Sequence, residues 1–596
     1  MGAVGDFCYS RLGGCGRALL KMNGSIVDQM GAANMRVHPE AYLSQVFLAT
    51  IIASAAAAGM IVLHLLGLPP VTFLGALLPS PMLFPLIMVV VPLAVMGFGI
   101  AYPGLKASSR LSGLKSEIPY AFMYISVMVS GGLDPYVAIL RIRNVKLLPK
   151  LQEEMGRIQA SVLANGIDPI TAMERAAKIV NLRDYKELLR GYASAVRTGG
   201  DVYHYLYQQT VNMFKKLETD VKAVGENLSL VMETYIIVAV LGTLCFYMFF
   251  VVSMGIGEGV GMGMSSESFF LFAFIILPIM SGMFLFLADA SQMNIPSPNT
   301  KTYIVFFASI PIALVLAAFL VIPYYVPLSP MFQLGAPLIN GIRTIVGLDV
   351  GTEAAIGLAL TLSLTVVPAI IVDHLSIRSE ASIQSGITSF LRDMVETRKT
   401  GLSPERCIKS LADRNYGEFS KHLKMINLRL SWGEPLSKIY EDFSHKVKNW
   451  LSQINIYLLV DAIEVGGGKE ESLETLAEFA ESSRTLENER KKLLRPMLFV
   501  PYIGAILLTA TVILLVQFFT GSPGSSSSMT MSLSELNRTL LTPLILHSFM
   551  IGLVAGKVSS GRVSAGFKHG IFLVIASLIG IRLGAVMPGL FSAAPA

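Results

Sequence analysis

Few residue groupings in this chain could carry out catalysis or energy conversion, and their spacing argues against most of them. A phosphate-cradling loop needs G-x-x-x-x-G-K-[ST], with backbone amides around the phosphates and a hydroxyl on magnesium. Gly468-Lys469 is followed by Glu470, and Gly556-Lys557 by Val558, so that hydroxyl is missing at both and the chain is not a motor. The eight histidines form no H-E-x-x-H pair, and the four cysteines (Cys8, Cys15, Cys245, Cys407) form no C-x-x-C pair. Neither a metal centre nor a disulfide framework is supported. Asp461 and Glu464 stand at i, i+3 on one helical face, where paired carboxylates can pass a proton or hold a cation. A solvated helix face presents the same pair, and no nucleophile–base constellation joins it. The chain is therefore read as non-enzymatic, with no catalytic residue, no metal ligand and no cofactor.

Composition sets the elements that carry these residues. Of 596 residues, 53% are hydrophobic and 15% charged, with mean hydropathy +0.60; soluble domains run near 25% charged. That excludes a soluble enzyme, a disordered chain and a secreted disulfide scaffold. Apolar runs near 20 residues predict nine membrane spans, at 44–66, 82–101, 230–256, 268–288, 303–325, 352–372, 497–519, 541–557 and 570–590. The eighth is the weakest, being short and carrying His547. Ionisable groups keep to span ends (Glu233, Asp289, Asp373), and only Arg582 lies deep, where it can snorkel outward. Transporters keep ionisable groups inside their spans, so a transporter is the weaker alternative. The polar N-terminal 40 residues show no cleaved-signal pattern.

Two polar blocks interrupt the spans. Residues 102–229 hold 17 Lys/Arg and 12 Asp/Glu, and 373–495 hold 19 of each, so the blocks own 36 of the 47 basic residues. The 557–569 turn adds Lys557, Arg562 and Lys568, whereas 326–350 and 520–540 carry one basic residue each, Arg343 and Arg538. By the positive-inside rule both blocks are expected in the cytoplasm.

The blocks repeat each other. The first reads Ser130-Gly-Gly-Leu-Asp-Pro135, then Leu163-Ala-Asn-Gly-Ile-Asp-Pro169, then Val196-Arg-Thr-Gly-Gly-Asp201. The second reads Lys399-Thr-Gly-Leu-Ser-Pro404, then Leu430-Ser-Trp-Gly-Glu-Pro435, then Glu464-Val-Gly-Gly-Gly468. Gly131, Gly166 and Gly199 are followed at an offset of 267–270 by Gly401, Gly433 and Gly467, which marks an internal duplication. Each glycine is expected to end a helix in a left-handed cap. Asp134, Asp168 and Ser403 cap the next helix, with Pro135, Pro169 and Pro404 at its first position and Pro435 after the weaker cap Glu434. Asp201 closes the third mark of the first block. Each block is thus a bundle of about six antiparallel helices, and the last of each runs into a membrane span, with a kink expected at Pro496 and Pro501 in the second.

Tandem helical blocks with these marks, each leading into a membrane helix, resemble the type II secretion system F-domain family. The nine spans resemble its archaeal branch, although Glu464-Val-Gly-Gly is less acidic than that family's third mark. The resemblance implies an all-α, polytopic membrane protein with about nine transmembrane helices and two repeated cytoplasmic helical bundles. Its divisions would be an N-terminal segment (1–43), a transmembrane hairpin (44–101), a first bundle (102–229), four spans (230–372), a second bundle (373–495) and three spans (496–596). It further implies a platform in the cell membrane for an archaellum or adhesion pilus, docking a cytoplasmic assembly ATPase and handling pilin or archaellin-like subunits. Tad-type pilus platforms are the alternative, although they usually carry one such domain. Candidate ATPase contacts are Arg141, Arg143 and Lys146 in the first block and Arg398, Lys399, Arg406 and Lys409 in the second. Arg490, Lys491, Lys492 and Arg495 are better suited to lipid head groups. A homodimer fits the reading; nucleic acid does not, because the second block is charge-balanced.

Overall fold

In the computed structural model, residues 3–35, 37–66, 83–180, 182–256, 266–292, 300–325, 335–521 and 532–591 are described. Among them the chain is helical throughout, with no strand. It divides into two compact units, one of residues 1–125 and 134–208, the other of residues 126–133 and 209–596.

In the first unit the Ala3–Met22 helix packs on the Pro39–Leu65 helix. There Gly16 leaves no room for a Cβ beside Ser44 and the Glu40 carbonyl. Tyr42 donates to the Gly99 carbonyl at 2.7 Å, drawing in the Leu83–Ser130 helix. The bundle helices Pro135–Arg141, Pro149–Asn165, Pro169–Ile179 and Arg183–Arg197 follow. Their buried residues recur at helical spacing, as in Leu151, Met155 and Ile158, or Tyr185, Leu188, Leu189 and Tyr192. Arg110 ties the unit together: it donates to the Ala32 carbonyl at 2.6 Å and pairs with buried Glu154.

The Val202–Tyr235 helix begins in the first unit, enters the second at residue 209, and continues through a π-helical turn, Ile236–Leu241, into the Gly242–Ile256 helix. The Glu353–Lys399 helix is a single rod of 47 residues, half membrane span and half bundle. Pro404–Leu411, Phe419–Ser431, Leu436–Lys446 and Trp450–Gly466 complete the second bundle. The Glu470–Leu494 helix then passes through a 3-10 turn at Arg495–Leu498 into Phe499–Gly521; Pro496 has no amide to donate there, and the pitch tightens without ending the helical path.

Eight helices among the described residues are long and apolar enough to cross a membrane. The expected span at 82–101 falls partly on residues outside the described ones. Glu353 and Asp373, both buried, sit 20 residues apart on one helix, about 30 Å, the thickness of the hydrocarbon layer. At one end Glu353 pairs with Arg343 at 2.5 Å, and Arg582 reaches the Gly347 carbonyl at 2.7 Å. At the other end Lys557 pairs with Asp289, and Gln292 donates to the Lys557 carbonyl at 3.0 Å. The weakest span in sequence terms is the most buried of those eight. Leu533–Ser560 is buried along most of its length, so its polar residues face protein rather than lipid. Gly552 and Gly556 meet Gly570 and Gly566 of the next helix, where an added Cβ would come within 2.3 and 2.1 Å of their Cα atoms. This is a small-residue crossing of the GxxxG kind.

Glu117, 2% exposed, accepts the amides of Lys150 (3.0 Å) and Leu151 (2.9 Å), because the N-cap position of that helix is Leu148, which carries no acceptor. Burial outweighs these donors and pushes its carboxyl up to about 7. The folded unit therefore holds a proton that the unfolded chain releases near 4.5. This stabilising contribution is complete below that pH and is lost as pH rises through 7. Pulse proteolysis of the detergent-solubilised protein should show the first unit losing about 2–3 kcal/mol between pH 5 and 8. Glu117→Gln should flatten that dependence, and an unchanged slope would show that another group is responsible.

Candidate functional site

The repeat marks are the ends of helices, and their geometry follows from residue type. Gly166, Gly199, Gly401, Gly433 and Gly467 have φ of 59°, 66°, 86°, 78° and 65°, the left-handed region that a Cβ disfavours. At the first mark the left-handed residue is Gly132 (φ 91°), not Gly131. Asp134 accepts from the amides of Tyr136 (2.9 Å) and Val137 (3.1 Å), Asp168 from Thr171 (3.1 Å), Asp201 from His204 (3.0 Å) and Ser403 from Arg406 (3.4 Å). Pro135, Pro169 and Pro404 each follow the cap. Pro435 is itself the N-cap of its helix, so neither it nor Glu434 caps with a side chain. Glu464 does so from elsewhere, accepting the Ser437 amide at 2.8 Å.

That contact draws the three turns of the second bundle to one end. An added Cβ on Gly468 would strike Pro404 at 2.7 Å, and Arg398 donates to the carbonyls of Gly468 (3.0 Å) and Leu402 (2.7 Å). Lys399 closes the Glu353–Lys399 helix 26 residues beyond Asp373, so this end stands about 40 Å along the helix from Asp373.

The basic candidates divide by what they touch. Arg398 is a staple between two turns rather than a free cation. Lys399 lies between Glu396 (3.5 Å) and Glu474 (3.6 Å). Arg406 and Lys409 are exposed, with no side-chain partner among the described residues. Arg143 donates to Gln159, Arg141 is engaged, and Lys146 is exposed and unpartnered among the described residues. These three lie one short helix away from the Gly132 turn. Asp461 is buried while Glu464 serves as the cap just described, so the two do not form a common site. No group of three metal-ligating side chains occurs among the described residues. The cavity inside the second bundle, between Phe390, Leu423, Phe443 and Leu459, measures about 20 Å³, room for roughly one water.

What the arrangement can do is mechanical. The two helices that run from bundle into membrane meet at three places. Phe214 stacks on Phe479 (5.6 Å between centroids, 10° between planes), Met497 reaches Gly225, and Gly504 faces Ile236 and Val240 at the π turn. Sequence reading anticipated the continuity, but not this contact or the π turn, whose single-residue insertion has no signature in residue type.

The family described as Type II secretion system (T2SS), protein F matches the chain twice, at residues 121–250 and 390–517. The chain therefore carries two F domains and is a multi-pass membrane protein of the type II secretion F-domain class. Each match begins late in the helix entering a bundle and ends inside the span that leaves it. An uncharacterized protein of Methanocaldococcus jannaschii is 19% identical over 520 residues, covering 80% of this chain and 81% of that one. No solved structure matches significantly.

Arg398→Ala should lower the stability of the second bundle by about 1–3 kcal/mol, the loss of two charge-assisted hydrogen bonds to carbonyls. Arg406→Glu should leave it within about 0.5 kcal/mol. Thermal unfolding followed by tryptophan fluorescence separates the two, since both tryptophans lie in this bundle. Equal effects would contradict the division of roles.

Proposed function

We propose that this chain is the membrane platform of a type IV pilus-like filament machine of the archaeal branch, building an archaellum or an adhesion pilus. Both bundles face the cytoplasm, where an assembly ATPase docks on them. Its conformational cycle is passed along the Val202–Ser253 and Glu470–Phe518 helices into the membrane, where pilin or archaellin-like subunits are lifted or the filament is turned.

The observation that carries this reading is the unbroken helical path from bundle to span, present in both F domains and side by side in space. An α-helix is stiff over such lengths because each turn is hydrogen-bonded to the next. The basic loop residues support the cytoplasmic placement, and the likeness to the M. jannaschii chain over four-fifths of both lengths supports the archaeal assignment. The lateral cleft between spans 505–514 and 573–584, about 280 Å³, has no charged residue in its lining, which weighs against solute transport. Thr509 and Ser577 in that lining are bonded to each other at 3.1 Å.

The test is to break the rod without disturbing either end. Ala223 is exposed on the Val202–Tyr235 helix, and Ala223→Pro removes a backbone bond there at a cost of about 3 kcal/mol. A strain carrying this variant at normal membrane level should lose one class of surface filament by electron microscopy. Loss of swimming together with its filament would assign an archaellum. Loss of thin fibres and adhesion with swimming intact would assign a pilus. Retention of every filament would overturn the mechanical reading.

A further inference from the structure

The Phe419–Ser431 helix turns an apolar face to solvent. Met425, Leu428 and Trp432 are 45%, 44% and 68% exposed, and their i, i+3, i+7 spacing puts them on one stripe. Lys424 lies beside them, and Lys438 opens the next helix after Pro435. Both lysines are exposed and have no side-chain partner among the described residues. Although Ile158, the counterpart of Met425, is buried in the first bundle, the architecture does not require apolar residues at the other two positions of the stripe. In the first block the matching helix has Ser161 and Asn165 where Leu428 and Trp432 stand here, hydrogen-bonded to each other at 3.5 Å. The duplicated architecture therefore folds with a polar face at this position, and the second copy alone has exchanged it for a large aromatic and an aliphatic.

Two features define what would cover it. Trp432 adjoins the Gly433 turn, and that turn lies with Gly401 and Gly467 at the end of the bundle, about 40 Å of helix beyond Asp373, which on the platform reading is out of the reach of lipid. The unpaired lysines favour carboxylates around the rim, and an aromatic anchor within such a rim is how docking energy concentrates in protein interfaces.

We propose that the Met425–Leu428–Trp432 stripe, flanked by Lys424 and Lys438, is the docking surface for a soluble protein that presents an apolar socket inside an acidic rim. This deepens the platform reading and rests on it, because on that reading the soluble partner is the assembly ATPase. Trp432 enters the socket as the anchor, and the lysines set the rate and register of encounter. The free cations Arg406 and Lys409, on a different helix, lie outside the contact.

The chain has two tryptophans, and Trp450 is 5% exposed, so the red-shifted, quenchable part of its emission belongs to Trp432. The full-length protein in lipid nanodiscs would be titrated with the purified assembly ATPase of the same organism, with Trp432→Phe as the optical blank. The expected result is a blue shift and protection from acrylamide on binding. Trp432→Ala should weaken binding at least tenfold, about 1.4 kcal/mol or more. Lys424→Glu with Lys438→Glu should weaken it and reduce its salt dependence, and Arg406→Glu with Lys409→Glu should leave it unchanged. If wild type binds and Trp432→Ala binds equally well, the stripe is overturned and the platform reading stands. Failure of the wild type itself to bind overturns the platform reading and the stripe with it. Self-association that disappears in Trp432→Ala would make the occupant a second copy of this chain and overturn the proposed partner.

Discussion

A backbone crossing about 30 Å of hydrocarbon finds no water to bond, so its amides and carbonyls must satisfy one another. A helix meets that demand locally, and in this protein the same ladder is not dropped at the membrane surface. Glu353–Lys399 leaves the span at Asp373 and keeps its register for 26 more residues. Val202–Tyr235 and Glu470–Leu494 return the same way, each through a local change of pitch rather than a break. The bundles are therefore extensions of the spans, and the placement of the distal turns follows from how long those extensions run.

Rods of this length are useful only if their ends are held. At the distal end of the second bundle Arg398 ties the first turn to the third, and Glu464 caps the helix that leaves the second turn. In the membrane, Leu533–Ser560 forms the central post, crossing Gly566–Phe591 at paired glycines. Polar pairs stand at the two ends of the membrane layer, with Arg343–Glu353 at one and Lys557–Asp289 at the other. These charges cost too much to move into hydrocarbon, so they fix the depth of the spans. Between the fixed ends, the stacked Phe214–Phe479 pair and the approach of Gly504 to the π turn join the two exit helices.

Much of this was legible in the sequence because it depends on local chemistry. A glycine, a short acceptor and a proline in order specify a helix stop and start, and Asp134, Asp168 and Ser403 do what their types allow. The error at Gly131 shows the limit: two adjacent glycines are equally permissive, and only the packing of the turn selects Gly132. Leu533–Ser560 looked weak because hydropathy measures contact with lipid, whereas that helix is surrounded by protein. The Gly552/Gly556 and Gly566/Gly570 spacing was a readable signal of that burial. Arg398 could not be told from Arg406 by sequence, since both are basic residues beside a turn and only the fold brings Gly468 within reach of one of them.

The central claim is that bundle and span move as one body, and a distance measures it. In a cysteine-free background, spin labels at Lys215 and Val252 stand 37 residues apart on the exit helix, about 55 Å if the helical path is unbroken. Electron–electron double resonance in nanodiscs should give one narrow distribution near that length, unchanged when the assembly ATPase and ATP are added. A broad or markedly shorter distribution, or one that splits with nucleotide, would show that the helix bends at the membrane surface and that motion is absorbed there rather than transmitted.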